Sequence, residues 1–452
     1  FTYNKNATSI YNCNYGNLVL SGSVSTKSPV AALTIGGNLT VNSGVTLNAS
    51  SQTINLAGNF NNSGTVSNLS ILNFTGSVNQ IVNSSSSITI PSLTSVSTNT
   101  VTLSTGTYNI TSSTLLAGSL TINNGVTFDL NNIQLNLGGD LNNSGTISNL
   151  SDANFNGSAS AQDISSTQDL EFNDLTINNT SGVNIQSGNY SITNSLTIDA
   201  GNFDVGTELL TLVYNSTKTA YIEQSNGTIS GSMIIQRFIS ARGEQYEDLG
   251  TSVTSTTIDD WDDELYMAIG APNDVPGFPG GDGSVISDTN YMSVYTYNTN
   301  TGRYDSVVTG TTLIPGQGYT LWLADDKTSF PGRAIDTRGT PNMGTVSYNA
   351  QLGTDPFFPG WNLISNPHAS WIDWAAVVTA SGGSGLVDPE IQIYDGSGNY
   401  VNQTNPQIAP GQGFWCFVYA TTNVNFPQSA KVSSTSSSFM RRDQPKDYDL
   451  KL

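Results

Sequence analysis

The chain has 452 residues, of which 37% are hydrophobic and only 11% charged, and it carries a net charge of −20 from 14 Lys+Arg against 34 Asp+Glu. That balance excludes a nucleic-acid binder working by phosphate neutralisation. No apolar run of 18 residues exists, which excludes a membrane-spanning helix.

The chain opens at Phe1 without Met or an apolar leader, as a processed, exported end would. The first half is then a repeat array. GVTLNASSQTINLAGNFNNSGTVS (residues 44–67) returns 81 residues later as GVTFDLNNIQLNLGGDLNNSGTIS (125–148). Residues 101–122 return from Val183, shifted by 82. Inside each long unit lie short apolar-x-apolar elements such as Leu33-Thr34-Ile35, Leu39-Thr40-Val41, Val45-Thr46-Leu47 and Leu120-Thr121-Ile122. Period-2 alternation over three to five residues, bounded by Asn, Ser and Gly, predicts short strands with one buried face. The long exact repeat, the short strands and Asn/Gly corners, where left-handed backbone is cheap, favour a parallel β-helix over a meander sandwich. The expected solenoid covers residues ~15–215 in about ten coils of roughly 20 residues.

Solenoids of this type include polysaccharide lyases and hydrolases, so a catalytic reading is weighed directly. Lyase chemistry wants a basic residue beside acidic calcium ligands. Residues 1–217 contain no Arg, no His, and only Lys5 and Lys27, which removes that possibility. Their acids are dispersed; Asp169, Glu171 and Asp174 form the tightest group. The strand threonines (Thr34, Thr40, Thr46, Thr121, Thr127, Thr197) raise a flat ice- or sugar-binding face, against the plain fact that Thr suits any outward strand position. Cys13 and Cys416, 403 residues apart, with His368 as the sole histidine, make neither a zinc site nor a nucleophile pair.

From about Tyr221 the composition changes, with all six Trp and 11 of the 14 basic residues beyond that point. This half also repeats. LIPGQGYTLWL (313–323) matches IAPGQGFWCFV (408–418), each preceded by a hairpin-like strand pair. DLGTSVTSTTIDDWDDEL around Trp261 corresponds to NLISNPHASWIDWAAVV around Trp374. The fold class expected is all-β, a parallel β-helix followed by a duplicated antiparallel β-sandwich. Its divisions are 1–217 for the solenoid, 218–345 and 346–433 for the two sandwich units, and 434–452 for a linker entering a further domain.

GWNLISNPHASWIDWAAV and the PGQG-aromatic strand resemble the modules that precede the C-terminal sorting region of large Bacteroidetes surface proteins exported by the type IX secretion system. Asn-rich β-solenoids commonly accompany those modules. The resemblance covers residues 234–432 closely and the repeat array in style. It implies export across the outer membrane and an extracellular, cell-surface location, with no catalytic residues, although no sorting domain stands within the 452 residues. Asp305-Ser306-Val307 is similar to that phylum's short O-glycosylation signal, which marks Ser306.

Further sites come from the residues themselves. Asp259, Asp260, Asp262, Asp263 and Glu264 crowd one loop, where carboxylates would repel without a cation, so calcium is the metal expected there. Asp395-Gly396-Ser397-Gly398-Asn399 alternates oxygen ligands but reads equally as a hairpin turn. Trp361 and Trp371 are the candidate platforms for stacking sugars, since Trp261, Trp322, Trp374 and Trp415 fall at repeat-equivalent, core-type positions. The function expected is structural or adhesive, at the cell surface, with glycans and the export machinery as partners. Two other readings stand beside it: a polysaccharide-degrading enzyme or glycan-binding accessory, and an extracellular subunit of an outer-membrane assembly.

Overall fold

A computed structural model describes residues 1–3, 8–22, 25–243, 245–262, 264–265, 267, 269, 292–323, 329–394 and 399–433, with the backbone alone at 241–243 and 329–331 and no side-chain description at 208. The protein is nearly all β, and it divides into two compact units, 1–210 with 226–230, and 211–225 with the chain from 231 onward.

The first unit is a parallel β-solenoid of about eleven turns. Leu18–Leu20 pairs in parallel with Leu39–Val41, which pairs with Phe60–Asn62, which pairs with Gln80–Ser84. The same column continues through Val101–Thr105, Leu120–Ile122, Leu141–Asn143, Gln162–Ser166 and Val183–Ser187. A second column runs through Leu33–Ile35, Thr53–Leu56 and Ile71–Phe74, and a third through Ser25–Pro29, Val45–Asn48 and Thr65–Ser67. Alternation turns every second side chain inward. Leu18, Leu39, Phe60, Val82, Leu103 and Ile122 therefore stack into one apolar file, each fully buried.

The corners use the backbone freedom their residues allow. Ser50-Ser51 and Asn131-Asn132, equivalent across the repeat, take consecutive left-handed angles (φ 52° and 57°; 47° and 62°), as do Asn68 and Asn149 singly. Asparagines also link successive turns. The Asn17 Oδ1 accepts from the Asn38 backbone N–H (2.7 Å), Asn38 Oδ1 from that of Asn59 (2.8 Å), and Asn59 Oδ1 from that of Ile81 (2.8 Å).

Polar side chains enter the core at repeat-equivalent points. Buried Gln80 accepts from Gly76 N–H (3.0 Å) and donates to Leu56 O (2.9 Å) and Gly58 O (2.7 Å). Gln162 does the same with Gly157 N–H (2.8 Å), Leu137 O (2.9 Å) and Gly139 O (2.5 Å). Buried Asn62 donates to Ser84 Oγ at 2.9 Å, and Asn143 to Ser166 Oγ at 3.0 Å. Each satisfies backbone or hydroxyl groups that the tight corners leave inside.

The second unit contains two copies of one antiparallel design. In the first, the sheet order is Gln245–Leu249, Tyr319–Leu323, Val294–Asn298, Arg303–Ser306; in the second it is Trp361–Ser365, Gly413–Val418, Val387–Tyr394, Tyr400–Thr404. Each copy adds a separate antiparallel pair: Thr228–Gly243 with Ser329–Pro341, and Val346–Ala350 with Thr422–Phe426. Short helices stand at the equivalent corners, Asp259–Asp262 and Trp374–Ala380, the latter capped by the Asp373 carboxylate on Ala375 N–H (2.9 Å). Each copy has its own core. One gathers around Trp261, Leu321 and Ile335, the other around Trp374, Ile391 and Phe414.

The two Pro-Gly-Gln-Gly turns lock the copies together. Gln317 bridges to Ile364 of the second copy, and Gln412 bridges to Leu249 of the first. Ser365 N–H donates to Gly316 O (2.9 Å), and Gly250 N–H to Gly411 O (2.9 Å). The motif's first glycines hold positive φ (88° at Gly316, 64° at Gly411). Its second glycines sit where a Cβ would strike the other copy: 2.7 Å from Ile364 O at Gly318, and 2.6 Å from the Asp248 carbonyl carbon at Gly413.

Candidate functional site

Strand alternation in the duplicated unit sends one face of each four-stranded sheet to its core and leaves the other lined with rings. In the first copy Leu249, Leu321 and Val294 point inward, so Tyr246, Thr320, Tyr295, Tyr297 and Tyr304 lie on the opposite face. In the second copy Ile364, Phe414 and Ile391 point inward, leaving Trp361, Trp415, Gln392, Tyr394 and Tyr400 on the other side. The rings of the two copies meet. Tyr297 packs edge-on against Trp415 with centroids 4.7 Å apart, and Tyr304 and Tyr400 approach Trp415 at 6.4 and 6.1 Å.

Two cavities flank this junction. One, of about 470 Å³, is lined by Tyr246, Tyr295, Tyr304, Thr320, Tyr394 and Tyr400. The other, of about 400 Å³, is lined by Tyr297, Tyr304, Trp361, Gln392, Tyr400 and Trp415, with Gly302 and the half-exposed ring of Phe358 at its margin. Tyr304 and Tyr400 belong to both and form the partition.

Asp248 lies beneath the first cavity, 2% exposed, accepting a hydrogen bond from the Tyr400 hydroxyl at 3.3 Å. Burial pushes its carboxyl up to about 7, against the opposing pull of the Thr320 and Tyr400 hydroxyls. Burial likewise pushes the Tyr304 hydroxyl up to about 12, with the Asp248 charge adding to it, and raises that of Tyr400 further. The phenols therefore remain protonated donors across the physiological range. Among the described residues, no Lys, Arg, Asp or Glu lines either cavity. Flat rings, neutral hydroxyls and one amide suit a neutral, polyhydroxylated ring.

The sequence-selected residues fall differently. Trp361 forms a wall of the second cavity, edge-on to Phe417 at 5.5 Å. Trp371 corrects the expectation: it is 2% exposed, pairs with Val432, and packs into the first copy's core beside Leu249 and Ile239, so it offers no face to a sugar. Ser306 is exposed on the strand Arg303–Ser306, and the neighbouring Asp305 carboxylate accepts from Asn298 (3.0 Å).

The residues expected to hold calcium are described only in part. Asp259 accepts from Thr309 Oγ1 (2.7 Å), Gly310 N–H (2.9 Å) and Thr257 Oγ1 (3.1 Å). Desolvation raises its carboxyl, and those three bonds outweigh it, leaving the group below the usual range. Asp260 turns instead toward the Thr256 hydroxyl, the Arg338 N–H (3.2 Å) and the Arg338 guanidinium (4.0 Å). The helical turn thus splays neighbouring carboxylates onto separate partners. Asp262 is half-buried, Asp263 lies outside the described residues, and so do residues 395–398 of the other calcium candidate. Among the described residues, no group of three or more His, Cys, Asp or Glu side chains is placed to hold a metal ion.

In the solenoid, exposed Asp169 accepts from Asn189 (3.1 Å), and Asp174, partly exposed within the strand Leu170–Asn178, accepts from Asn194 (2.6 Å). The selected threonines scatter over all three columns: Thr40 and Thr121 in the first, Thr34 and Thr197 in the second, Thr46 and Thr127 in the third. They make no single flat face. Cys13 is exposed and Cys416 buried, both as free thiols. His368 is buried, with Nε2 2.9 Å from Phe426 O, and burial pushes it down to about 4. Among the described residues, no helix is long and apolar enough to cross a membrane.

Sequence reading missed the tyrosine-lined cavities and Asp248. The available signal was the alternate tyrosines of VYTYN (295 and 297), with Tyr304, Tyr394 and Tyr400 on the neighbouring hairpin strands. No protein family, no curated protein and no solved structure matches the chain.

Proposed function

We propose that this is an exported, cell-surface adhesive protein in which the solenoid is a spacer and the ring-lined cavities of the duplicated unit bind surface glycans. The observation carrying this reading is the pair of cavities walled by tyrosine and tryptophan rings with protonated hydroxyl donors and, among the described residues, no charged lining side chain. Sugars present apolar C–H faces and rims of hydroxyls, which that lining complements. Export by the type IX route rests on the resemblance of residues 234–432 to the modules of such substrates.

The reading is one of binding, not turnover. Asp248, beside the first cavity, is engaged by Tyr400 and Thr320, and Asp355, at the margin of the second, accepts from the Phe357 and Phe358 N–H groups. Glycosylation at exposed Ser306 belongs to the same proposal. The test is a glycan microarray probed with the 452-residue chain and with a Tyr246→Ala/Trp361→Ala double variant of unchanged circular dichroism. Saturable binding by the parent that the double variant loses supports the reading; equal binding by both moves the site away from the cavities.

A further inference from the structure

The two cavities correspond position by position. The bridges Gln317 to Ile364 and Gln412 to Leu249 are reciprocal, so the operator relating the copies is its own inverse, a local two-fold. Under it Leu249 maps onto Ile364, which places Tyr246 on Trp361. Ladder partners extend the correspondence: Asp248 faces Thr320 as Leu363 faces Trp415, and Tyr246 faces Trp322 as Trp361 faces Phe417. Tyr295 faces Thr320 as Gln392 faces Trp415, and Tyr297 faces Tyr304 as Tyr394 faces Tyr400.

The six residues lining the larger cavity thereby become Trp361, Gln392, Tyr400, Trp415, Tyr297 and Tyr304, all of which line the smaller one, where Gly302 and Phe358 are added at the margin. Tyr304 and Tyr400 exchange places and line both cavities, so they straddle the axis. The edge-on ring pairs at the far walls are equivalent too: Tyr246 with Trp322 at 4.9 Å, and Trp361 with Phe417 at 5.5 Å.

We propose that the duplicated unit is bivalent: the cavities are two pyranose subsites generated by the duplication, and they hold two separate glycan chains. The inference rests on the glycan-binding reading above. Its geometric basis is direction. A polysaccharide has a reducing and a non-reducing end, and subsites related by a two-fold meet a chain running through both in opposite senses. One chain cannot satisfy both alike, whereas two chains, or two chain ends, can. The shared tyrosine partition is the same from either side, and the outer walls differ. Tyr295 and Thr320 give the larger subsite more hydroxyl contacts, and Trp415 and Trp361 give the smaller one more ring area. The two therefore differ in affinity and in preferred sugar.

The test uses the full chain, titrated with methyl glycosides of β-glucose, β-galactose, α-mannose and β-xylose and with the β-1,4-linked hexasaccharides of glucose and xylose. Indole ¹H–¹⁵N resonances are followed. Trp322 reports the larger subsite, and Trp361 and Trp415 report the smaller. Two saturation curves with distinct midpoints are expected. Trp361→Ala should abolish the Trp415 response and leave that of Trp322 within two-fold; Tyr246→Ala should do the converse. Tyr304→Ala should weaken both by about ten-fold, the loss of one stacking face. Tyr246→Phe and Trp361→Phe, which keep a ring, should retain binding and guard against misfolding.

One shared midpoint abolished by either alanine variant would overturn bivalency in favour of a single composite site. So would a hexasaccharide binding more than a hundred-fold tighter than its methyl glycoside, since that requires one continuous groove. Saturation of one reporter alone overturns bivalency and keeps glycan binding. No response from any indole to any sugar overturns the glycan reading itself, and bivalency with it.

Discussion

Replacing Gln162 by Leu tests the buried polar pins of the solenoid. The side chain is 1% exposed and satisfies Gly157 N–H, Leu137 O and Gly139 O, and its Oε1 also accepts from Asn179 (3.1 Å). Leucine fits the volume and strands all of these groups in a dry interior. At about 1–3 kcal/mol per stranded group, less about 2 kcal/mol returned by burying the leucine, the net loss is about 4 kcal/mol. Gln80→Leu, which strands the three repeat-equivalent groups Gly76 N–H, Leu56 O and Gly58 O, should by the same reckoning cost somewhat less, about 2–3 kcal/mol. The pins are four turns apart, roughly 19 Å at ~4.8 Å per turn, so the double variant should be additive. Urea unfolding followed by far-ultraviolet circular dichroism measures the loss, and native-state hydrogen exchange localises it to the flanking turns. A loss below about 1 kcal/mol would refute the reasoning, since it would mean water takes over the glutamine's bonds.

Gly318→Ala and Gly413→Ala should each destabilise the duplicated unit by about 2 kcal/mol or more, because each Cβ meets the other copy's backbone; Gly385→Ala, with nothing within 4 Å, should be near neutral. Thermal melts in the near-ultraviolet compare the three. Asp248 is raised from 3.8 to about 7, so its contribution is full below pH 3.8 and lost as pH rises through 7; the Asp248→Asn variant should gain up to about 4 kcal/mol relative to the parent across that window. His368 runs the other way, lowered from 6.5 to about 4, with stability full above 6.5 and lost as pH falls through 4, by about 3 kcal/mol. The two nearly cancel between pH 4 and 6.5, so each single variant should reveal a slope that the parent hides. Trp371→Ala should cost about 3–5 kcal/mol of stability, as for a core tryptophan, whereas Trp361→Ala, at a partly exposed position, should cost less and be read in binding.

The solenoid is legible because its physics is local. Two-residue alternation marks every strand, and the 81-residue repeat carries the corner residues Ser50-Ser51 onto Asn131-Asn132. The inward polar pins were legible only in principle: Gln80 and Gln162 occupy inward slots and recur 82 residues apart. The duplication of the second half was visible in the two PGQG motifs, but the reciprocal locking that explains their glycines was not. Trp361 and Trp371 look alike in sequence. Their fates diverge because Trp371 is covered by the other copy's Leu249 and Ile239, a contact that no linear period encodes. The partners of the acidic loop were illegible for a related reason. Adjacent carboxylates on a helical turn point apart, and Asp259 and Asp260 find partners 50 and 78 residues away.

The most direct measurement of glycan binding is a crystal structure of the chain soaked with the oligosaccharide selected on the microarray. Density for a sugar ring against Tyr246 and Tyr295, or against Trp361 and Trp415, is the predicted result. Ordered sugar on the solenoid, with both ring-lined cavities empty, would contradict it.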